Sequence, residues 1–255
     1  RDLKHNQLIL ARDRLGIKPL FWTVDGYRVT FGTEIKSVDC LLGRSSVLSW
    51  RRAWQMIGQP ARYPGPCWIG IEEVEPGTAA IFMPGQTPII SQWHEFSYCP
   101  RSASEQEMEA MYKTALTESV VLQTQGIDQL AIALSGGLDS SLLCSLSKEK
   151  PTAFVLVNTS TVDNGELDAA RLVAGELDIN LYEVVPQEVG SMTKMAYLDI
   201  LRFCESPDVR AEHLLKNELA EMAAKRGFRV LLSGQGSDEF NGGYSGLVNT
   251  DGSTS

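Results

Sequence analysis

A buried strand that runs into a glycine loop and then into a helix is the feature that most constrains this chain. Residues 129–134 form an apolar run, which predicts a buried strand, and residues 140–148 have a helical pattern. Between them lie Ser135, Gly136, Gly137, Leu138 and Asp139. Glycines let backbone amides close on an anion, and the following helix points its positive end at the same place. The pattern therefore predicts an α/β fold with an anion site at the end of this strand.

The polar side chains of the loop indicate which anion it binds. Ser135, Ser140 and Ser141 can donate hydrogen bonds to phosphate oxygens. Asp139 would repel a bare phosphate, so its presence favours a divalent cation that bridges the carboxylate to phosphate groups. We therefore expect the loop to hold the phosphates of a nucleotide together with a metal ion.

The loop has three other interpretations. A Walker A loop requires a lysine that is absent here. A nucleophile elbow would use Ser135 as nucleophile and needs a histidine after an acid in the chain, for which only His213 qualifies. The third interpretation is a tight strand–helix turn without a ligand, which two adjacent glycines followed by a carboxylate disfavour.

Strands and helices alternate from residue 102 onward. Ser102 and Glu105 fit a capping box that would begin the first helix. After the 129–134 strand we predict further strands at 152–158, 180–185 and 228–232, and helices at 166–178, 187–203 and 212–226. Such alternation is typical of a parallel sheet covered by helices on both faces.

The chain before residue 102 has a different pattern. Residues 6–36 predict short strands, with Asp25 and Gly26 as a hairpin turn. Residues 41–100 are rich in glycine and proline, which predicts a connecting region with short strands such as 78–83. At the other end, residues 249–255 predict a polar, frayed tail.

Composition excludes several classes of protein. The net charge of −9 argues against a nucleic-acid partner, which requires a basic face. No apolar run reaches the 18 or so residues of a membrane span. The five cysteines form no C-x-x-C pair, so neither a zinc ribbon nor a disulfide framework is predicted. We expect no nucleic-acid or membrane partner, and a cytoplasmic location.

The sequence S-G-G-L-D-S at 135–140 resembles the pyrophosphate loop of the ATP pyrophosphatase superfamily, and the whole chain resembles glutamine-dependent asparagine synthetases. The supporting segments are ARDRLGIKPL at 11–20, FGTEIKS at 31–37, VEPG at 74–77 and SGQGSDE at 233–239. The resemblance implies an adenine nucleotide alpha hydrolase-like domain, with a parallel sheet between helices, after the remnant of an α+β glutaminase (Ntn hydrolase-like) domain. It implies three parts: a glutamine amidotransferase remnant at 1–40, a connecting region at 41–101 and an ATP-binding synthetase domain at 102–255.

In this family ATP adenylates the side-chain carboxylate of aspartate, pyrophosphate leaves, and ammonia derived from glutamine attacks the acyl-adenylate. The resemblance implies ATP and Mg²⁺ as cofactors, aspartate and glutamine or ammonia as small-molecule partners, and a homodimer for the full-length protein. The alternatives are a related amidotransferase or β-lactam-type synthetase with another carboxylate acceptor, and a non-catalytic relative.

The resemblance also implies the site residues. Asp139 and Asp238 would hold the metal ion, and Gln235 and Asp238 would be catalytic. The positions that would bind ATP and pyrophosphate are Leu134, Ser135, Gly136, Gly137, Leu138, Asp139, Ser140, Ser141, Leu156, Ser233 and Gly234.

Two positions depart from the family pattern. Gln235 stands where asparagine synthetases commonly have glutamate, and an amide cannot accept a proton from incoming ammonia as a carboxylate can. Asn241 replaces an apolar residue before Gly242, Gly243 and Tyr244. The catalytic cysteine of the glutaminase domain has no match, since Cys40 is internal. We therefore expect a fragment that lacks the glutaminase start and the C-terminal helices.

Overall fold

The structure is a computed structural model that describes residues 2–58, 65–97, 99–100, 102–186 and 194–241. The predicted tail at 249–255, the motif Gly242-Gly243-Tyr244 and the beginning of the predicted 187–203 helix lie outside the described residues. Two compact units are formed, one by Arg1–Arg101 with Lys194–Val209 and the other by Ser102–Thr193 with Arg210–Ser255. Within the described part of the chain, every helix is too short or too polar to cross a membrane.

Ten strands and nine helices are present among the described residues. In chain order they are β1 (Leu8–Ala11), β2 (Phe21–Asp25), β3 (Arg28–Gly32), α1 (Ile35–Leu42), α2 (Trp50–Gly58), β4 (Glu72–Glu73), β5 (Thr78–Phe82), β6 (Ile89–Gln92), α3 (Glu105–Thr124), β7 (Leu130–Ala133), α4 (Leu138–Leu146), β8 (Thr152–Leu156), α5 (Thr159–Asp163), α6 (Glu166–Glu176), β9 (Leu181–Val184), α7 (Lys194–Cys204), α8 (Ala211–Lys225), β10 (Val230–Leu232) and α9 (Ser237–Asn241).

The first unit contains two antiparallel sheets, with strand orders β1-β5-β6 and β3-β2-β4. The predicted hairpin at Asp25 and Gly26 is confirmed, because Asp25 pairs with Arg28 and Gly26 has a φ of 61°. Strands β4 and β5 of the segment 41–101 pair with β2 and β1 of the segment 1–40. The two segments therefore share both sheets, and the predicted division at residue 40 stays a prediction.

A glutamate from far along the chain closes the beginning of α1. The carboxylate oxygens of Glu205 accept hydrogen bonds from the backbone amides of Ile35 and Lys36, both at 2.7 Å. The Glu205 side chain is 12% exposed, and its backbone has a φ of 49° at the end of α7. This contact joins α7 to α1 within the first unit.

The second unit is built on a four-stranded parallel sheet with the order β10-β7-β8-β9. Side chains of β7 alternate between its faces. Leu130 and Ile132 pack in a cluster with Cys144 of α4 and with residues of α6. Ala131 packs in a second cluster with residues of α8. The predicted α/β fold, a parallel sheet with helices on both faces, is therefore confirmed.

The structure corrects several predicted boundaries. The capping box of α3 is formed by Ser104 and Glu107, not by Ser102 and Glu105. Strand β8 ends at Leu156, before the predicted 158, because the Asn158 side chain caps the short helix α5, which was not predicted. All five cysteines are free thiols.

Candidate active site

The two predicted site loops follow adjacent parallel strands. Strand β7 pairs with β8 on one side and with β10 on the other, and the next strand in the chain after β7 is β8. The strand order therefore reverses between β7 and β10, and open α/β sheets bind ligands outside the carboxyl ends of strands at such a point. The loop 134–137 leaves β7 there, and the loop 233–236 leaves β10 at the same edge.

Hydroxyl groups organise the first loop. Ser140 is 5% exposed. Its hydroxyl oxygen lies 3.1 Å from the Ser135 hydroxyl oxygen and accepts a hydrogen bond from the Ser135 amide at 3.2 Å. The hydroxyls of Ser140 and Ser141 donate to the Gly137 carbonyl at 3.2 and 2.7 Å. Ser140 therefore shapes the loop from inside, whereas Ser135 and Gly137 are exposed.

Gly136 is required by packing as well as by backbone conformation. Its φ is 77°, and a Cβ atom there would lie 2.7 Å from the Ala169 Cβ, the Ala170 nitrogen and the Glu166 carbonyl oxygen. These atoms belong to the first turns of α6. The loop therefore lies directly on α6, and only glycine permits this approach.

The two loops contact one another at Asp139. The Ser237 hydroxyl donates to Oδ1 of Asp139 at 2.8 Å. A Cβ atom on Gly234 would lie 3.1 Å from the Asp139 Cβ, so glycine at 234 permits the close approach of the second loop. The residue of the second loop that bonds to Asp139 is thus Ser237, and the joint role of Asp139 and Asp238 in holding a metal ion stays a prediction. The sequence S-D-E at 237–239 gave no signal for which member would make the contact.

Asp139 and Asp238 are the carboxylates of the two loops that could hold a magnesium ion. Asp139 and Asp238 are both half-buried, and they belong to the loops that meet at this edge. Across the described residues, no group of three or more His, Cys, Asp or Glu side chains could hold a metal ion. Mg²⁺ is usually bound by one or two carboxylates together with phosphates and water, so two carboxylates suffice for it.

Gln235 extends from the second loop toward α8. Its Oε1 accepts a hydrogen bond from the Lys216 ammonium at 3.0 Å, and its Nε2 lies 3.4 Å from Oε1 of Glu239. Lys216 also forms an ion pair with Glu212, one turn earlier on α8. Lys216 was not predictable from the sequence, because no spacing along the chain relates it to residue 235.

The remaining predicted nucleotide contacts differ in exposure. Leu134 is 1% exposed and its side chain packs in the core, while its amide donates to the Phe154 carbonyl at 2.9 Å. The Leu138 side chain is 75% exposed. Leu156 is half-buried at the carboxyl end of β8, and Ser233 is exposed. The expectation that these positions bind the nucleotide stays a prediction.

Asn241 and Tyr112 support the Asp139 contact. The Asn241 amide nitrogen lies 3.1 Å from the Tyr112 hydroxyl and 3.1 Å from the Ser237 hydroxyl. Since Ser237 donates to Asp139, these bonds continue from α3 through α9 to the first loop. The polar residue at 241, which departs from the family pattern, thus has a structural partner at the site.

The structure does not support the nucleophile elbow. The Ser135 hydroxyl contacts the Ser140 hydroxyl. The His213 ring instead accepts a hydrogen bond from the Arg210 amide at 3.1 Å, at the beginning of α8. A serine nucleophile needs a base within hydrogen-bonding reach, and among the described residues His213 does not supply it.

Two sequence-family models match the chain. The one described as "Asparagine synthase" matches residues 111–253, and the one described as "Glutamine amidotransferase domain" matches residues 1–40.

Individual proteins are similar over nearly the whole chain. "Asparagine synthetase [glutamine-hydrolyzing] 2" of Bacillus subtilis (strain 168) is 29% identical over 96% of this chain and 35% of its own length. "Amidase chry2" of Gibberella zeae is 28% identical over 95% of this chain and 39% of its own length. "Amidase chyE" of Penicillium rubens is 27% identical over 95% of this chain and 38% of its own length.

The chain spans between a third and two-fifths of the length of these curated relatives. The match to the asparagine synthase model covers more than half of the 255 residues and includes both loops at the edge of the parallel sheet. The chain belongs to the asparagine synthase family.

Proposed function

We propose that this chain is the nucleotide-binding part of an ATP-dependent, amide-forming ligase that takes ammonia from glutamine. The observation that carries the proposal is the meeting of two loops, through Ser237 and Asp139, where the strand order of the sheet reverses. ATP is the nucleotide, aspartate is the acceptor, and asparagine, AMP, pyrophosphate and glutamate are the products.

The first loop would bind the pyrophosphate of ATP. The Gly136 amide and the beginning of α4 would supply donors, and Gly137 brings no side chain to cap that helix. The Gly137 amide itself donates to the Ser135 hydroxyl at 3.3 Å. Ser135 and Ser141 lie where hydroxyls can add hydrogen bonds. Donors placed where negative charge develops on departing pyrophosphate lower the barrier. Ser140 would act by fixing the shape of the loop.

Asp139 and Asp238 would hold Mg²⁺ with the ATP phosphates. The ion would neutralise charge on the phosphate oxygens during adenylation. The Ser237 hydroxyl bonds to Oδ1 of Asp139 at 2.8 Å, which would fix the direction of the carboxylate that holds the ion.

A second candidate function has a different carboxylate as acceptor. Gln235 occupies the position where asparagine synthetases commonly have glutamate, and two similar proteins are named amidases. An enzyme of this kind would keep the ATP site and differ in the acceptor pocket. Measuring which acid supports ATP–pyrophosphate exchange separates the two candidates.

The test uses the full-length protein with ATP, Mg²⁺ and a panel of amino and other carboxylic acids. Exchange of labelled pyrophosphate into ATP with aspartate, and asparagine formation with added ammonia, are the expected results. We expect Asp139→Asn and Asp238→Asn each to lower exchange by about a hundredfold or more, as loss of a charge-stabilising group does. Asp128→Asn is the control, since the exposed Asp128 precedes β7 at the opposite edge of the sheet.

Three outcomes are informative. Exchange with another acid and none with aspartate would favour the second candidate. Normal exchange by Asp139→Asn and Asp238→Asn would contradict the roles proposed for these carboxylates. Absence of exchange with every acid would contradict a ligase function and favour a non-catalytic relative.

A further inference from the structure

Lys216 fixes the orientation of the Gln235 side chain. An ammonium group can only donate hydrogen bonds, so the atom of the Gln235 amide that lies 3.0 Å from the Lys216 Nζ must be the carbonyl oxygen. The amide nitrogen then points to the other side, where Glu239 lies 3.4 Å away. One of its two hydrogens faces that carboxylate, and the other is left for a ligand.

Glu212 holds Lys216 in place. The two residues form an ion pair across one turn of α8, and the hydrogen bond from Lys216 lowers the pKa of the Glu212 carboxyl below its usual value. The ammonium is thereby held between a carboxylate of α8 and the Gln235 carbonyl of the second loop. Although about half of the Lys216 side chain is exposed, it has a partner on each side.

Gln235 lies on the loop that reaches the first loop through Ser237 and Gly234. The same loop therefore carries the Asp139 contact and the oriented amide. With its oxygen turned to Lys216, Gln235 presents its NH₂ group as a hydrogen-bond donor on the other side. A donor binds a carbonyl oxygen or an oxyanion, and it cannot take a proton from a nucleophile.

We propose that Lys216 is a positioning residue that turns the Gln235 amide so that its NH₂ group binds the acyl oxygen of the adenylated substrate. This inference rests on the proposed ligase function. Gln235 would thus stabilise the intermediate that forms when ammonia attacks, in place of acting as a base on ammonia.

The step is balanced without a basic side chain at 235. The nitrogen lone pair forms the new C–N bond while negative charge moves onto the acyl oxygen, which the Gln235 NH₂ group binds. The C–O bond to AMP then breaks, its electron pair leaves with the AMP phosphate, and one proton from nitrogen passes to water. The products are the amide, AMP and a solvent proton.

The test compares lysine variants of α8 in the full-length protein. Lys216→Met should lower the kcat of ammonia-dependent amide formation about tenfold or more and leave ATP–pyrophosphate exchange and the KM for ATP nearly unchanged. Lys216→Arg should restore most of the lost rate, since a guanidinium also only donates. Lys225→Met is the matched control, because Lys225 forms the same kind of ion pair with Glu221, at 2.8 Å on the same helix.

A double-mutant cycle separates positioning from stability. Once Gln235→Leu has removed the amide, Lys216→Met should have no further effect on amide formation. Unchanged amide formation by Lys216→Met, a parallel fall in exchange, or additive effects in the cycle would each overturn this inference alone. Absence of exchange by the unaltered protein would overturn the proposed function and the inference with it.

Discussion

Gly136 and Gly126 have the same φ angle but different surroundings. Both have a φ of 77°, but a Cβ atom on Gly136 would lie 2.7 Å from three atoms of α6, whereas a Cβ atom on Gly126 would have nothing within 4 Å. The cost of a side chain at Gly126 is therefore the backbone strain alone. At Gly136 it is that strain together with the displacement of α6 or of the loop.

This pair predicts a difference in stability. Gly126→Ala should lower the free energy of unfolding by roughly 1–2 kcal/mol, the cost of a left-handed non-glycine residue. Gly136→Ala should cost about 1–3 kcal/mol more, since the added methyl group overpacks the contact with α6. Urea unfolding of both variants measures the difference, and equal losses would show that the loop does not press on α6.

At the scale of elements, α1 obtains its cap from a residue 170 positions away. Its own N-cap residue, Glu34, makes no side-chain capping hydrogen bond, and the Glu205 carboxylate supplies the missing acceptor. Glutamate keeps this place although glycine is preferred at a left-handed position after a helix. The capping contact offsets the backbone strain at Glu205.

Two variants of Glu205 separate the cap from the strain. Glu205→Ala loses the cap and keeps the strain, so the unfolding free energy should fall by about 1–2 kcal/mol. Glu205→Gly loses the cap but relieves the strain, and it should be about 1 kcal/mol more stable than Glu205→Ala. Glu34→Ala is the control and should change stability by about 0.5 kcal/mol or less. The same loss for Glu34→Ala as for Glu205→Ala would contradict this account of α1.

The capping box of α3 predicts a dependence on pH. Hydrogen bonds from the amide and hydroxyl of Ser104 hold the pKa of Glu107 below its usual value. A carboxyl whose pKa is lower in the folded state stabilises the fold above its unfolded pKa, and this stabilisation is lost as the pH falls through the folded pKa.

Wild type should therefore be more stable than Glu107→Gln at pH 7, and the difference should disappear in acid. Thermal unfolding from pH 7 to pH 3 measures it. Glu109→Gln on the same helix is the control and should show no such trend. A difference between wild type and Glu107→Gln that persists at pH 3 would contradict an ionised cap.

Local patterns predicted the elements of the second unit well, because each strand and helix carries its own periodicity. Strand β7, the first loop and α8 were found from residues that are neighbours in sequence. The contacts that complete the site were not predictable in this way. Ser237 with Asp139, Lys216 with Gln235 and Asn241 with Tyr112 join residues 98, 19 and 129 positions apart, and only the order of the strands brings them together.

At the scale of the whole molecule, the family matches and the compact units divide the chain differently. The asparagine synthase match covers residues 111–253, but Lys194–Val209, which lies within it, folds in the unit that contains the amidotransferase match. Helix α7 and Glu205 therefore lie within the asparagine synthase match but fold in the compact unit that contains the amidotransferase match.

This arrangement predicts how the chain can be exchanged with a relative. A chimaera that replaces residues 1–101 alone would set a foreign α1 against the native Glu205 and α7. We expect its melting temperature to be lower than that of a chimaera that replaces residues 194–209 as well. Equal melting temperatures would show that α7 contributes little to the first unit.

The late arrival of Glu205 also sets an order of events during synthesis. The first unit has most of its residues by position 101 but needs 194–209 to complete it, so the ribosome must add 108 further residues, 209 minus 101. At about 5–20 residues per second this takes about 5–20 s. Through that interval α1 begins with two uncapped amides. Strands β7, β8 and β9 of the parallel sheet are therefore synthesised before the first unit is complete.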